Sequence, residues 1–383
     1  METHLQTLAR GQAAAGAKVE VVCVNHESDS RTVVEWDGTV QVTRVATQGS
    51  LRGLDLCPDL LKIFRDLCRQ PPDVLHLHTP NPTMLLPVSL FRPKCALVVM
   101  HHSDIVRQRL LKYVQSPFER AVYRKADAIL STSKAYTETS ELLLRFKDKT
   151  RIFPMGLDLA PYSRPGKAAL EHAETYRTRY PSPLWLCAGR LVYYKGLNVA
   201  IDALREVPGQ LVVVGTGPSE ACLRAQAKRN GVADRILWRG KTSQDELVGA
   251  YHAATALWFP SIARSEAYGL VQVEAMASGC PVLNTSIPGS GASWVSRHEE
   301  TGLTVPVGNA GALASAARKL LQDPLLRKKL AAAAVLRAEK YFDHRAMTRL
   351  CFEIYDQVLG QRSPMKLANG RLASKLTQPC NTI

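Results

Sequence analysis

No apolar run in this 383-residue chain reaches the roughly 18 residues that a membrane-spanning helix needs, and no charged-then-apolar leader opens it. No Cys-x-x-Cys spacing occurs among the nine cysteines, an odd number scattered through the chain. That excludes a zinc knuckle and a disulfide framework legible in sequence, and predicts reduced thiols in a cytoplasm. Cys23, Cys187 and Cys280 lie in apolar strand contexts and are expected in the core. Low-complexity tracts and short-period repeats are lacking as well. Acidic residues are scarce: 34 Asp and Glu against 49 Lys and Arg leave a formal net charge of +15. The basic residues are dispersed and no nucleic-acid-binding motif accompanies them, so a phosphate-rich substrate or an anionic surface is expected rather than nucleic acid.

The chain does have length and apolar content. At 46% hydrophobic residues it can fill two cores, more than one domain of this length usually holds. Strand-like runs alternate with helical ones throughout, the pattern of parallel sheets. In the first half they are VEVVCV (19–24), QVTRVAT (41–47), DVLHLHT (73–79), ALVVMHH (96–102), AILSTS (128–133) and RIFPM (151–155). PLWLCAG, QLVVVG, RILWRG, ALWFP, PVLNTS and LTVPV repeat the plan in the second half. Between the halves, Gly156, Pro161, Pro165, Gly166 and Pro181 predict a hinge. The Ala-, Leu-, Lys- and Arg-rich region from Ala310 to Gly360 reads as helices with one break at Asp323-Pro324.

The most informative stretch is FPSIARSEAYGLVQVEAMASGCPVLNTS, 259–286. It reads as the end of a buried strand, a polar loop, a helix entry at Tyr268-Gly269, an apolar helix to Ala277, a stop at Ser278-Gly279 and another buried strand. Glu266 and Glu274 stand with seven residues between them around the opening of that helix. A helix N-terminus after a strand offers unpaired N–H groups and a favourable dipole to phosphate, and Gly269 removes the side chain that would hold an anion off. Alone, the two glutamates would pass as a loop carboxylate and a surface helix residue.

Two further segments point the same way. In CAGRLVYYKGLNVAIDAL, 187–204, Arg190 and Lys195 flank a strand-to-helix turn. A forked guanidinium and a point-charge ammonium suit the two charges of a nucleotide diphosphate, although each alone would pass as solvated surface charge. LVVVGTGP, 211–218, is a strand running into a glycine turn. Without a third spaced glycine, Gly215 and Gly217 make no dinucleotide fingerprint, and a tight turn with the backbone beside the nucleotide accounts for them.

Together these residues resemble the signature of the retaining glycosyltransferases of family 4, which have the GT-B fold: two facing Rossmann-like, doubly wound α/β domains with a cleft between them. The resemblance implies that Glu266 lies against the donor sugar and Glu274 against the ribose, with backbone N–H groups of Ala267, Tyr268, Gly269 and Leu270 toward the diphosphate. It places Gly189, Arg190 and Lys195, followed by Gly196, at the donor phosphates, and Gly215 near the nucleotide. Gly240 and Lys241, in RILWRGKTSQDEL (235–247), are implied beside the base. The family's histidine loop is matched by VVMHHSD, 98–104, so His102 is implied near the reacting sugar and His102, Ser103 and Asp104 at the acceptor. His76 and His78, in VLHLHT, alternate to one face, one for the core and the other toward acceptor. Catalysis then falls to Glu266, His102, Arg190 and Lys195, the cations stabilising the leaving diphosphate while it accepts the acceptor's proton on the same face. No two Asp residues are separated by a single residue, so the Asp-x-Asp metal motif of the other major glycosyltransferase fold is absent. No obligatory metal and no cofactor beyond the nucleotide-sugar co-substrate are expected.

By the same resemblance, residues 1–160 are an acceptor-binding domain, 161–182 a hinge, 183–340 the nucleotide-sugar domain, 341–360 a helix crossing back and 361–383 a disordered basic tail. Family members open with an apolar strand, a two-glycine loop and a helix beginning near Glu-Thr-His, whereas METHLQTLARGQAAAG begins on that helix. The expectation is a first domain lacking its central strand, through an upstream start or a decayed gene copy. RQRLLKYVQSPFERAVYRKADAI, 107–129, interleaves Arg107, Arg109, Lys112, Arg120, Arg124 and Lys125 with Leu110, Leu111, Tyr113, Val114, Phe118 and Tyr123. Such a stretch suits the inner face of an anionic cell membrane, or a core-facing helix with a solvated basic face. The implied activity is transfer of a hexose, GDP-mannose favoured as donor, to a saccharide or polyprenyl-linked acceptor in exopolysaccharide or lipopolysaccharide synthesis. The alternatives are a synthase or phosphorylase on a soluble sugar, and a non-catalytic truncated relative.

Overall fold

The structure is a computed structural model and describes residues 2–26, 31–51, 54–91, 93–104, 109–180 and 183–362. In the first half, β1 (Glu20–Val24), β2 (Val33–Asp37) and β3 (Val40–Val45) form a sheet in the order β1-β3-β2. β1 is parallel to β3 and β2 antiparallel to it. β2 was not among the expected strands because it is exposed nearly throughout, Trp36 included, and so carries no apolar alternation to read. β4 (Ser50–Leu51) and β5 (Leu54–Asp55) make a small antiparallel pair. β6 (Val74–Thr79), β7 (Ala96–His101), β8 (Ala128–Ser131) and β9 (Thr150–Ile152) form a parallel sheet in chain order.

The first half's parallel strands therefore fall in two sheets where one was expected. Among the described residues β1 pairs only with β3 and β6 only with β7, and no strand joins them. A parallel ladder needs an extended segment on each side, and no described segment fills that place.

The second half is one unbroken six-stranded parallel sheet. Its strands are β10 (Leu184–Ala188), β11 (Gln210–Val214), β12 (Ile236–Gly240), β13 (Ala256–Phe259), β14 (Val282–Thr285) and β15 (Gly302–Val305). Their order is β12-β11-β10-β13-β14-β15. The central strands are buried on both faces, as helices above and below require. Trp185 and Trp258, on adjacent strands, stack with ring centroids 5.0 Å apart. The strand order reverses between β10 and β13, the place where a doubly wound sheet opens a crevice at its carboxyl ends.

Residues 161–182 are not a linker. They contain the helix Lys167–Arg179, whose Ala169, Ala173 and Tyr176 form a buried stripe at helical spacing against the helix Gln244–Ala253. Gly249 lets the two helices approach, since a Cβ there would lie 2.7 Å from the Ala169 carbonyl oxygen. The prolines that suggested a hinge flank this helix instead of dissolving it.

The expected break at Asp323 is present, with the Asp323 side chain accepting from the Leu326 N–H and Pro324 in the first turn. A second break, at Asp343, separates the helices Pro324–Phe342 and His344–Arg362. There the Leu157 N–H donates to the Phe342 carbonyl and the His344 N–H donates to that of Leu157, 2.9 Å each. The helix His344–Arg362 packs against the helix Glu2–Ala14 and against β7. One apolar cluster runs from Val98, Met100 and Phe153 through Tyr268 to Phe342 and Cys351, joining the halves. Cys187 and Cys280 are buried as expected and Cys23 is half-buried.

In the helix Arg109–Lys125, Arg107 and the side chains of residues 109–115 lie outside the described residues, as does most of the basic tail. Of the apolar residues expected to face a membrane, Tyr123 is instead fully buried and only Phe118 is exposed among those described. Tyr123 turns inward because its hydroxyl meets Thr79 Oγ1 at 2.7 Å and His101 Nδ1 at 2.6 Å. No helix among the described residues is long and apolar enough to cross a membrane.

Candidate active site

The turns after β10 and β13 carry Gly189, Arg190, Lys195 and Glu266 to Glu274 of the residues the sequence singled out. After β10 the chain passes Gly189 and Arg190 into a 3-10 turn, Tyr193–Lys195, closed by Gly196. After β13 it runs through Pro260 and Ser261 to Glu266 and enters the helix Leu270–Ala277 at Gly269. The loops are tied together: the Ile262 N–H donates 2.8 Å to the Tyr194 carbonyl. Gly196 has φ 65, and a Cβ there would overlap the Pro260 carbonyl oxygen, so only glycine permits this approach. The result is an ion pair in near-complete burial, with Lys195 Nζ 2.5 Å from Glu266 Oε2. Ser261, fully buried, donates to the same oxygen at 3.3 Å, and Ser290 Oγ donates 2.5 Å to the Glu266 carbonyl. Arg190 is exposed at the mouth of the same turn.

Gly269 has φ 84 and supplies no side-chain cap; the Gln272 N–H turns back to the Gly269 carbonyl at 3.0 Å, and the N–H groups of Leu270 and Val271 before it are left for another acceptor. A Cβ there would overlap Phe259, so packing as well as ligand approach explains this glycine. Tyr268 does not turn its side chain toward the crevice. It is 2% exposed, and its hydroxyl donates 3.1 Å to the Met155 carbonyl. Ala267 packs into the first half's core, and its carbonyl accepts from the Gly291 N–H at 2.9 Å. Both residues retain only their backbone N–H groups for a donor.

One and a half turns further on, half-buried Glu274 accepts a 2.8 Å hydrogen bond from the buried Tyr251 hydroxyl. Burial raises its pKa, opposed by the Tyr251 hydrogen bond and the charge of Lys195. Gly215 has a structural role, its N–H donating 2.7 Å to the Gly240 carbonyl. Gly240 ends β12 and exposed Lys241 follows it, with β11 and β10 between them and the strand that leads to Glu266, so they stand apart from the ion pair.

In the first half, His102 follows β7, with its Nε2 2.9 Å from His78 Nδ1 and its N–H donating to the Thr79 carbonyl. His76 turns toward the last helix, its Nδ1 2.7 Å from the Tyr355 hydroxyl. Burial pushes the pKa of His78 down to about 4, and burial and His78 push that of His102 well below the usual histidine range. A neutral imidazole at 102 can donate to or accept from a sugar hydroxyl. Asp104 accepts from Ser140 Oγ at 2.8 Å and its N–H donates 2.6 Å to the Tyr136 hydroxyl. Burial opposes its ionisation, yet His101, Ser140 and Arg264 together hold its carboxyl below the usual range. Ser103 lies half-buried between His102 and Asp104.

Sequence reasoning missed Arg264, which joins the two groups. Its Nη2 lies 3.0 Å from Asp104 Oδ2, its guanidinium sits 4.5 Å from the Tyr136 ring centroid, and Nη1 donates 3.0 Å to the Thr139 carbonyl. It stands two residues before Glu266, and a lone arginine inside that signature loop was the available signal. Tyr251, which holds Glu274, carried none.

An ion pair at the switch point of one Rossmann-like domain, tied through Arg264 to the loop after β7 of a second, is the arrangement expected of a glycosyltransferase of the GT-B class. The chain belongs to the group 1 glycosyltransferases of family 4. "Glycosyltransferase Family 4" matches residues 1–161 and "Glycosyl transferases group 1" matches residues 172–337. It is 33% identical to the D-rhamnosyltransferase WbpZ of Pseudomonas aeruginosa over 311 residues, covering 81% of this chain and 80% of that one. It is 26% identical to the O-antigen chain mannosyltransferase C of Escherichia coli over 368 residues, 95% of each. Among solved structures, a sucrose-phosphate synthase from Thermosynechococcus elongatus superposes with a TM-score of 0.78 at 23% identity, over 94% of this chain and 93% of that one.

Proposed function

We propose that this glycosyltransferase moves a hexose, mannose in the first instance, from a nucleotide-diphosphate sugar such as GDP-mannose, with retention at the anomeric carbon and without an obligatory metal. The acceptor is a saccharide or a polyprenyl-linked saccharide of lipopolysaccharide or exopolysaccharide synthesis, a reading supported by the mannosyl- and rhamnosyltransferase relatives.

The observation that carries the proposal is the 2.5 Å Lys195–Glu266 pair beside an uncapped helix start. A diphosphate entering there competes for the Lys195 ammonium, gains the N–H groups at Gly269 and Leu270, and draws in exposed Arg190. Glu266, released from full pairing, accepts hydrogen bonds from donor-sugar hydroxyls, and Glu274, held by Tyr251, accepts from the ribose. As the sugar–oxygen bond breaks, negative charge grows on the diphosphate between Lys195, Arg190 and the helix start, where it is stabilised. The leaving phosphate oxygen then takes the acceptor hydroxyl's proton on the same face, which gives retention. His102 holds a sugar hydroxyl.

Glu266→Ala, Lys195→Ala and Arg190→Ala should each lower kcat/KM by at least about a hundredfold, the scale of losing one transition-state charge contact. Near-normal rates in all three would sink the assignment. Thermal midpoints with GDP-, UDP- and ADP-sugars name the donor, because a ligand of the native state raises the midpoint. The anomeric coupling of the product by NMR tests retention, and full activity in chelator tests metal independence. We also assign the exposed Phe118, Arg120 and Arg124 to an anionic membrane surface at the cytoplasmic face. Sedimentation with anionic vesicles, lost in salt, is the expected result, and equal binding to neutral vesicles contradicts it.

A further inference from the structure

Three histidines from distant parts of the chain converge in the first half. His4 comes from the helix Glu2–Ala14, His78 from the carboxyl end of β6, and His102 from the loop after β7. Each offers a ring nitrogen, and these atoms all lie within 4.8 Å of one another. His78 Nδ1 and His102 Nε2 are 2.9 Å apart, and the His4 ring stands edge-on to both, its centroid 5.9 Å from that of His78 and 5.4 Å from that of His102.

His4 is completely buried, and among the described residues neither of its ring nitrogens has a hydrogen-bond partner. A buried imidazole without a partner on either nitrogen is costly, and native structures normally satisfy such groups. Among the described residues, no carboxylate belongs to the cluster. A neutral imidazole keeps a lone pair on one ring nitrogen for a ligand, and the three rings here bring one nitrogen each to a common place.

We propose that His4, His78 and His102 form a three-histidine site for a borderline transition-metal ion, Zn2+ in chemical class, and that its occupation blocks transfer. Three neutral imidazoles without oxygen ligands suit Zn2+, Co2+, Ni2+ or Cu2+ and reject Mg2+ and Ca2+. Tetrahedral ligands at zinc–nitrogen distances of about 2.0–2.1 Å stand roughly 3.3 Å apart. The His78–His102 spacing already approximates this, and His4 needs only a modest ring movement. Three protein ligands leave a fourth position open to water or a sugar hydroxyl. The ion would take His102 Nε2 out of use, so it inhibits. Metal binding stands apart from the proposed function, whereas inhibition rests on His102 serving the sugar as stated there.

Titration of the full chain with Co2+ tests the site. One Co2+ per chain is expected, with visible d–d bands and no thiolate charge-transfer band in the near ultraviolet. His4→Ala and His78→Gln should each weaken binding at least about tenfold and abolish the rise in thermal midpoint that Zn2+ gives the wild type. Absence of saturable binding, a thiolate band assigning the ion to cysteine, or wild-type binding in both variants overturns the proposal. Because the wild-type stoichiometry and spectrum can overturn it alone, an unstable variant leaves the test intact. In the transfer assay, Zn2+ should inhibit and EDTA should restore activity. Full activity with one Zn2+ bound overturns the blocking role, and a chain inactive under every condition points to failure of the transferase reading while leaving the Co2+ result interpretable.

Discussion

The two halves of this molecule share a parent plan and reach order differently. In the second, six parallel strands form one ladder, and the candidate donor site is made by the turns after two adjacent strands. In the first, the described strands divide into two sheets, and the candidate sugar site is assembled from His102, Ser103 and Asp104, with His78 against His102 and Arg264 reaching over from the second half. A continuous ladder converts local turn chemistry directly into site geometry. A divided one leaves the geometry to side chains and to contacts between halves.

The largest effect that separates them should come from Gly196→Ala, at a left-handed position where a Cβ overlaps backbone rather than a pliable side chain. About 3 kcal/mol or more should be lost, together with the nucleotide-sugar thermal shift. Survival of both would mean that the two crevice loops are not as tightly coupled as they look.

Acid should loosen the halves unequally. His4 and His78 have folded pKa values of about 3 and about 4 against an ordinary 6.5, so the unfolded chain binds their protons first. Their contribution to stability is complete above about pH 6.5 and declines toward pH 4, by up to about 1.4 kcal/mol per pH unit for each group. Hydrogen exchange should show β6 and β7 losing protection before β10 and β11. Simultaneous loss would break the comparison.

Arg264→Ala removes the guanidinium that joins the halves and should lower kcat/KM about tenfold, with a larger radius of gyration in X-ray scattering. Arg264→Lys should recover little, since an ammonium cannot bond Asp104 and the carbonyls as a planar fork while stacking on Tyr136. Smallest should be Tyr251→Phe, which strips Glu274 of one hydrogen bond and should raise the donor KM several-fold to about tenfold with kcat nearly unchanged. A fall in kcat instead would place Glu274 at the chemical step.

Much of the second half was legible because its signals are short-range. Alternating apolar runs, a glycine turn and a helix start follow one another within 259–286 and 187–204, and the strands formed nearly where they were read. Lys167–Arg179 was misread because prolines on either side drew attention from the Ala169, Ala173 and Tyr176 stripe between them. β2 went unseen because an exposed edge strand needs no apolar face. Tyr268 was placed by its neighbours in the motif, but its side chain answers to the carbonyl of Met155, distant in sequence.

The sequence by itself determined the alternating strands and helices of two Rossmann-like halves, because periodicity and turn chemistry act over a few residues at a time; its resemblance to family 4 added the glycosyltransferase class and the residues offered for a candidate donor crevice. Tertiary structure alone decided that Lys195 closes on Glu266, that Tyr251 holds Glu274, that Arg264 crosses to Asp104, and that His4 is shut in with His78 and His102. Each of those contacts joins side chains from separate segments, and only the packing of whole elements fixes the distance between them.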